Sequence, residues 1–154
     1  MKHDYKLYKM FKHGCKFLDC AIMCQGVQEL REHFDAKVPE IVNMAFACEV
    51  FLKTLIVLDG KEQRGHQIKV LWDALDTENR VAIVERIIDG TNVKEEEIAE
   101  RIDDISNSFT EWRYLYEVPG LSVHIGFLEK FTLILRDIVC EKLYKMTYVE
   151  YKMH

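Results

Sequence analysis

Apolar residues recur at steps of three and four along most of the chain, which is the spacing of one face of an α-helix. No segment shows the strict alternation of apolar and polar residues that is typical of a half-buried strand. The pattern therefore predicts an all-α fold. Its most regular run consists of Ile98, Ile102, Ile105, Phe109, Trp112 and Tyr116.

Six helices are predicted between positions where glycine, proline or a capping residue interrupts the pattern. They cover about 4–35, 39–59, 68–75, 77–90 and 95–118, and the sixth runs from 121 to 145 or later. A break in the first helix near His13-Gly14 is left open. Asn92 with Glu95 resembles a capping box at the start of the fifth helix. Short loops between amphipathic helices favour antiparallel neighbours. We therefore expect a single domain over residues 1–154, an up-and-down antiparallel bundle of four to five long helices plus short helices.

The second predicted helix is apolar on nearly every side, which is typical of the central helix of a bundle. It is also long enough to raise the question of a membrane span. Asn43, Glu49 and Lys53 lie within it, and a charge at the centre of a bilayer costs about 2.5 kcal/mol or more. We therefore expect a core helix and no membrane association.

The N-terminal segment MKHDYKLYKM lacks the apolar stretch of a secretory signal, and the five cysteines are an odd number. Both features favour a reducing, cytoplasmic location without a disulfide framework. Cys20 and Cys24 share a helix face but have no second pair with metal-ligand spacing. There is also no phosphate-binding loop and no H-E-x-x-H motif, so neither a metal nor a cofactor is expected.

The net charge of −5 hides an uneven distribution of charged residues. Lysines near the start of the chain recur every three or four residues beside Tyr5, Tyr8 and Phe11, whereas carboxylates crowd residues 95–104. Basic residues beside aromatic ones suit single-stranded nucleic acid, by phosphate neutralisation and base stacking. A solvated helix face is the alternative reading of these lysines, which are Lys2, Lys6, Lys9, Lys12 and Lys16.

Three polar residues near the second helix are candidates for a substrate-binding patch. Glu49 and Lys53 are spaced i,i+4 in the order that favours an ion pair, and buried charges need such partners. They indicate either an internal structural bridge or a polar patch beside a groove. His66 follows Gly65 at the start of a short helix, where it could cap that helix, pack on the central helix or join the patch.

Arg113 and His124 flank the break at Pro119-Gly120. If the two helices fold back on each other, a rise of about 1.5 Å per residue brings both residues to a similar height, and neighbouring axes lie about 8–10 Å apart. A histidine can move a proton while a guanidinium holds a phosphate, a combination suited to metal-free cleavage of RNA. The alternative is a surface pair of Arg113 with Glu117 and a structural histidine.

The segment AFACEVFLKTLIVLDGKEQRGHQIKVLWDAL resembles the second helix and following loop of HEPN domains, and FTEWRYLYE resembles their third core helix. The resemblance implies a helical bundle that often forms a homodimer and belongs to bacterial toxin–antitoxin and defence systems. Active members of that family are metal-independent endoribonucleases with an arginine and a histidine separated by a short spacer. An antitoxin or a nucleotidyltransferase is the partner that the resemblance implies beside RNA.

Arg113 matches the arginine of the family's motif, but the positions expected for the histidine hold Val118, Pro119 and Gly120. The motif is therefore degenerate. The candidate catalytic residues are Arg113, with His124 or Glu117 in place of the missing base, and the candidate substrate-binding residues are Tyr114, Lys53, Glu49 and His66. The alternative function is a catalytically inactive interaction and dimerisation module.

Overall fold

The computed structural model of the chain describes residues 2–31, 33, 35–114 and 124–154. These residues form eight helices and no strand, which confirms the all-α class. In chain order the helices are α1 (Lys2–Leu30), α2 (Lys37–Leu58), α3 (Ile68–Ala74), α4 (Thr77–Gly90), α5 (Glu95–Ile105), α6 (Ser108–Arg113), α7 (Ile125–Tyr144) and α8 (Tyr148–Met153).

The three longest helices, α1, α2 and α7, pack against one another and enclose the core. Contacts fix their directions. The Gln25 amide near the end of α1 donates to Glu40 at the start of α2 at 2.9 Å and to Glu129 early in α7 at 3.2 Å. The Tyr8 hydroxyl near the start of α1 donates to the carbonyl of Leu143 at 3.1 Å. Helix α1 therefore runs antiparallel to both α2 and α7.

Helix α2 is the central helix that its sequence predicted. By length and composition it could cross a membrane, and 72% of its most apolar window is buried inside the fold. A buried core helix passes the same test of length and composition. The cytoplasmic location and the absence of membrane association stay predictions.

Helix α1 continues without a break through Gly14. The ring of Phe51 on α2 packs directly on this glycine, and a Cβ atom added at Gly14 would lie 2.6 Å from Phe51 Cε1. Glycine at this position therefore allows α1 to approach α2 closely. The break left open near His13-Gly14 does not occur.

The single long helix predicted over 95–118 is wrong, because α5 ends at Ile105 and α6 begins at Ser108. The carbonyl of Ser106 accepts the backbone N–H of Ile68 at 3.0 Å, and its hydroxyl accepts that of Lys69 at 3.0 Å. Ser106 thus caps the first turn of α3, and α6 turns to pack on α2.

Two terminal predictions also need correction. The N-cap of α5 is Lys94 rather than Asn92, and its side chain makes no capping hydrogen bond. A helix after Lys145 was missed: Lys145 takes a left-handed conformation with φ 58°, and the Thr147 hydroxyl accepts the N–H of Glu150 at 3.2 Å to start α8. Both ends depend on local backbone conformation that apolar spacing does not reveal.

Candidate functional site

A buried carboxylate on α2 holds two of the predicted substrate-binding residues. The Glu49 side chain is 3% exposed, and its Oε1 lies 2.6 Å from Nδ1 of His66 while its Oε2 accepts from Nζ of Lys53 at 3.5 Å. An ionised carboxylate can only accept, so a hydrogen bond from His66 to this carboxylate requires a proton on Nδ1. The His66 side chain is 50% exposed, so its Nε2 edge can reach a ligand from solvent.

Backbone turns after α2 bring His66 back over that helix. Gly60 ends α2 with φ +76° and Gly65 precedes His66 with φ +102°, both in the left-handed region that favours glycine. The N–H of Lys61 donates to the carbonyl of Ile56 at 3.1 Å, which folds the loop onto the end of α2. His66 therefore packs on the central helix through Glu49, one of the roles that its position suggested.

The ring of Phe109 on α6 connects His66 with Arg113. The His66 and Phe109 ring centroids are 5.1 Å apart, and the Arg113 guanidinium lies 4.6 Å from the centroid of the Phe109 ring. Phe109 also stacks on Phe46 of α2, with centroids 5.0 Å apart. An imidazole and a guanidinium thus share one aromatic ring beside a buried carboxylate.

A groove between α1 and α2, here called the α1–α2 groove, adjoins this cluster and has a volume of about 510 Å³. Its basic side chains are Lys6, Lys9, Lys53 and His13. The other described residues of its walls are Tyr5, Met10 and Val50, so no carboxylate among the described residues lines it. The groove combines positive charge with apolar and aromatic surface.

A smaller cleft of about 340 Å³, here called the His66 cleft, also adjoins the cluster. Its lining residues are Arg64, Gly65, His66, Gln67, Val70 and Thr110. Lys53 borders the α1–α2 groove and His66 borders this cleft, and Glu49 binds both side chains. One buried carboxylate therefore binds a side chain from the lining of each opening.

The expected juxtaposition of Arg113 with His124 is wrong. His124 lies beside α5, where Nη1 of Arg101 is 2.8 Å from its Nδ1 and Oδ2 of Asp104 is 3.3 Å from its Nε2. Arg113 instead stacks on Phe109, because the break at Ser106 turns α6 onto α2.

Of the other predicted site residues, Tyr114 and His124 lie in the described part of the chain and Glu117 does not. Tyr114 is exposed, and the Arg113 guanidinium lies 5.2 Å from the centroid of its ring. Glu117 and the turn at Pro119-Gly120 lie outside the described residues. His124 borders a separate groove of about 500 Å³ with Arg101.

Sequence reasoning missed the aromatic members of the site. Phe46, Glu49 and Lys53 are spaced at three and four residues, so they share one face of α2, and that spacing could have identified Phe46. Phe109 was assigned to the core by its apolar stripe, yet it is only partly buried.

No group of three potential metal ligands from His, Cys, Asp and Glu occurs among residues 2–31, 33, 35–114 and 124–154. The expectations of no metal and no cofactor stay predictions. Comparison of the chain with protein-family models, with curated proteins and with solved structures finds no match. The resemblance to HEPN domains therefore rests on the two quoted segments alone.

Proposed function

We propose that this protein is a HEPN-like domain that binds RNA and cleaves it without a metal ion, using His66 and Arg113. The observation that supports the proposal is the 2.6 Å contact of His66 Nδ1 with the buried Glu49 carboxylate, beside a Phe109 ring on which Arg113 also stacks. A carboxylate that binds one imidazole nitrogen orients the ring and stabilises its protonated form.

The chemistry follows from these groups. Nε2 of His66 takes the proton of a ribose 2′-hydroxyl, and the resulting oxygen attacks the adjacent phosphorus. The P–O5′ bond breaks, the 5′-oxygen takes a proton from water, and the products are a 2′,3′-cyclic phosphate and a 5′-hydroxyl. Arg113 stabilises the negative charge that develops on the phosphate oxygens, since a guanidinium can hold two of them.

The proposal replaces His124 with His66 as the base and keeps Arg113 in its predicted role. Glu49 is a positioning residue, and Lys53 and Tyr114 stay predicted contacts for substrate. A homodimer, a bacterial defence or toxin–antitoxin setting, and an antitoxin or nucleotidyltransferase partner belong to the same proposal, and the resemblance to HEPN domains supports them.

The test measures cleavage of a mixed-sequence, 5′-labelled RNA in EDTA by purified protein. Loss of a general base typically costs about 10²–10⁴-fold in rate, so we expect a loss in this range for His66→Gln and a comparable loss for Arg113→Ala. Glu49→Gln can still accept from Nδ1 and should lose about tenfold, because it no longer stabilises imidazolium. His124→Gln is the matched control and should retain wild-type activity.

Wild-type activity in His66→Gln would reject His66 as the base, and a loss in His124→Gln would then identify His124 as the base. If the wild-type protein binds RNA but does not cleave it, the catalytic part of the proposal is rejected and RNA binding remains as the function. Neither binding nor cleavage would favour the alternative function, an inactive interaction and dimerisation module.

A further inference from the structure

The two openings that Glu49 connects, through Lys53 and through His66, differ in their chemistry. The α1–α2 groove presents three lysines and an aromatic wall, whereas the His66 cleft presents one arginine, Arg64, beside the candidate base. Volumes of about 510 and 340 Å³ lie within the range of about 300–1,000 Å³ of small-molecule sites. Each opening therefore has room for about one nucleotide.

Two of the three lysines of the α1–α2 groove, Lys6 and Lys9, are available for a ligand, whereas Lys53 pairs with Glu49. No carboxylate in the described part of the chain pairs with Lys6 or Lys9, and Lys9 lies 4.5 Å from the centroid of the Tyr5 ring. Tyr5 is 64% exposed. On a chain of net charge −5, this local excess of positive charge suits a polyanion.

We infer that the α1–α2 groove binds the segment of RNA on one side of the scissile phosphate, and that the His66 cleft binds the segment on the other side. This inference rests on the proposed function and adds the class of substrate. The exposed Tyr5 ring can stack only on a base that is unpaired, and the lysines can neutralise the flanking phosphates. The substrate is therefore single-stranded RNA that spans both openings.

The binding test uses 2′-O-methyl RNA of about ten nucleotides, which lacks the attacking hydroxyl and cannot be cleaved. The test variant is Lys6→Ala/Lys9→Ala, and the matched control is Lys12→Ala/Lys16→Ala, which removes the same charge from the same helix outside the groove. Fluorescence anisotropy should show a Kd at least tenfold higher for the test variant and less than threefold higher for the control. The slope of log Kd against log salt should fall by about 1.4 for two lost phosphate contacts.

Cleavage of the matching ten-nucleotide RNA with its 2′-hydroxyls provides a second measurement. Lys6→Ala/Lys9→Ala should lower kcat/KM for this RNA at least tenfold, whereas Lys12→Ala/Lys16→Ala should lower it less than threefold. Equal Kd values for the two double variants, or equal affinity for a duplex and a single strand, would overturn the inference while the proposed function stands. A wild-type protein that neither binds nor cleaves any RNA would instead reject the proposed function.

Discussion

Replacement of Gly14 by alanine should destabilise the protein although it adds a better helix former to the middle of α1. Helix propensity alone favours alanine over glycine by about 1 kcal/mol. The new Cβ would lie 2.6 and 2.9 Å from two ring atoms of Phe51, whose side chain is fully buried and packs against Phe11 with ring centroids 6.0 Å apart. The ring has no exposed surface to move into, and overpacking of this kind costs about 1–3 kcal/mol. We expect a net loss of about 1 kcal/mol in the free energy of unfolding.

Gly26→Ala in the same helix is the matched control, because an added Cβ there meets nothing within 4 Å. It should stabilise the protein by about 0.5–1 kcal/mol. Urea denaturation followed by circular dichroism gives both values from the transition midpoints at unchanged slope. If Gly14→Ala were as stable as Gly26→Ala, the close approach of α1 to α2 at this position would be refuted.

Two further changes test the capping and the electrostatics of the fold. Ser106→Ala should cost about 1 kcal/mol in urea denaturation, because the hydroxyl that caps α3 is lost while the carbonyl remains, and an unchanged midpoint would contradict that role. Burial and the neighbouring Asp76 raise the pKa of Asp59, so ionising Asp59 opposes folding above that pKa and has no effect below the pKa of the unfolded chain. Asp59→Asn should therefore raise the free energy of unfolding at pH 7 by less than about 1 kcal/mol, and this gain should disappear in acid. Equal gains at both pH values would exclude the charge of Asp59 as the cause.

The sequence predicts a helix end best where a residue that cannot easily continue the helix follows it. Gly60 ends α2 within one or two residues of the predicted position, because only glycine takes its φ of +76° readily. The division of α5 from α6 could not be predicted, since Ser106 is compatible with a helix and is diverted by the backbone N–H groups of Ile68 and Lys69. Such a contact joins residues far apart in the chain, and periodicity carries no information about it.

The candidate site was predicted only where it depends on residues close together in the chain. The i,i+4 spacing of Glu49 and Lys53 identified their pairing, which depends only on helix geometry. The addition of His66 depends on the path of the loop after α2, and the position of Arg113 depends on the turn at Ser106. The pairing of His124 with Arg101 rather than with Arg113 follows from that same turn.

The turn at Ser106 also separates opposite charges. Helix α5, whose first turn holds Glu95, Glu96 and Glu97, packs on α3 and α4, whereas α6 carries Arg113 to α2, the helix that shares a groove with the lysines of α1. A single straight helix through both segments would have carried the carboxylates and the guanidinium together. The bend instead keeps the acidic first turn of α5 apart from Arg113 and the lysines of α1. For the RNA proposed as substrate, this separation of charge would raise the association rate, and the gain would fade as ionic strength rises.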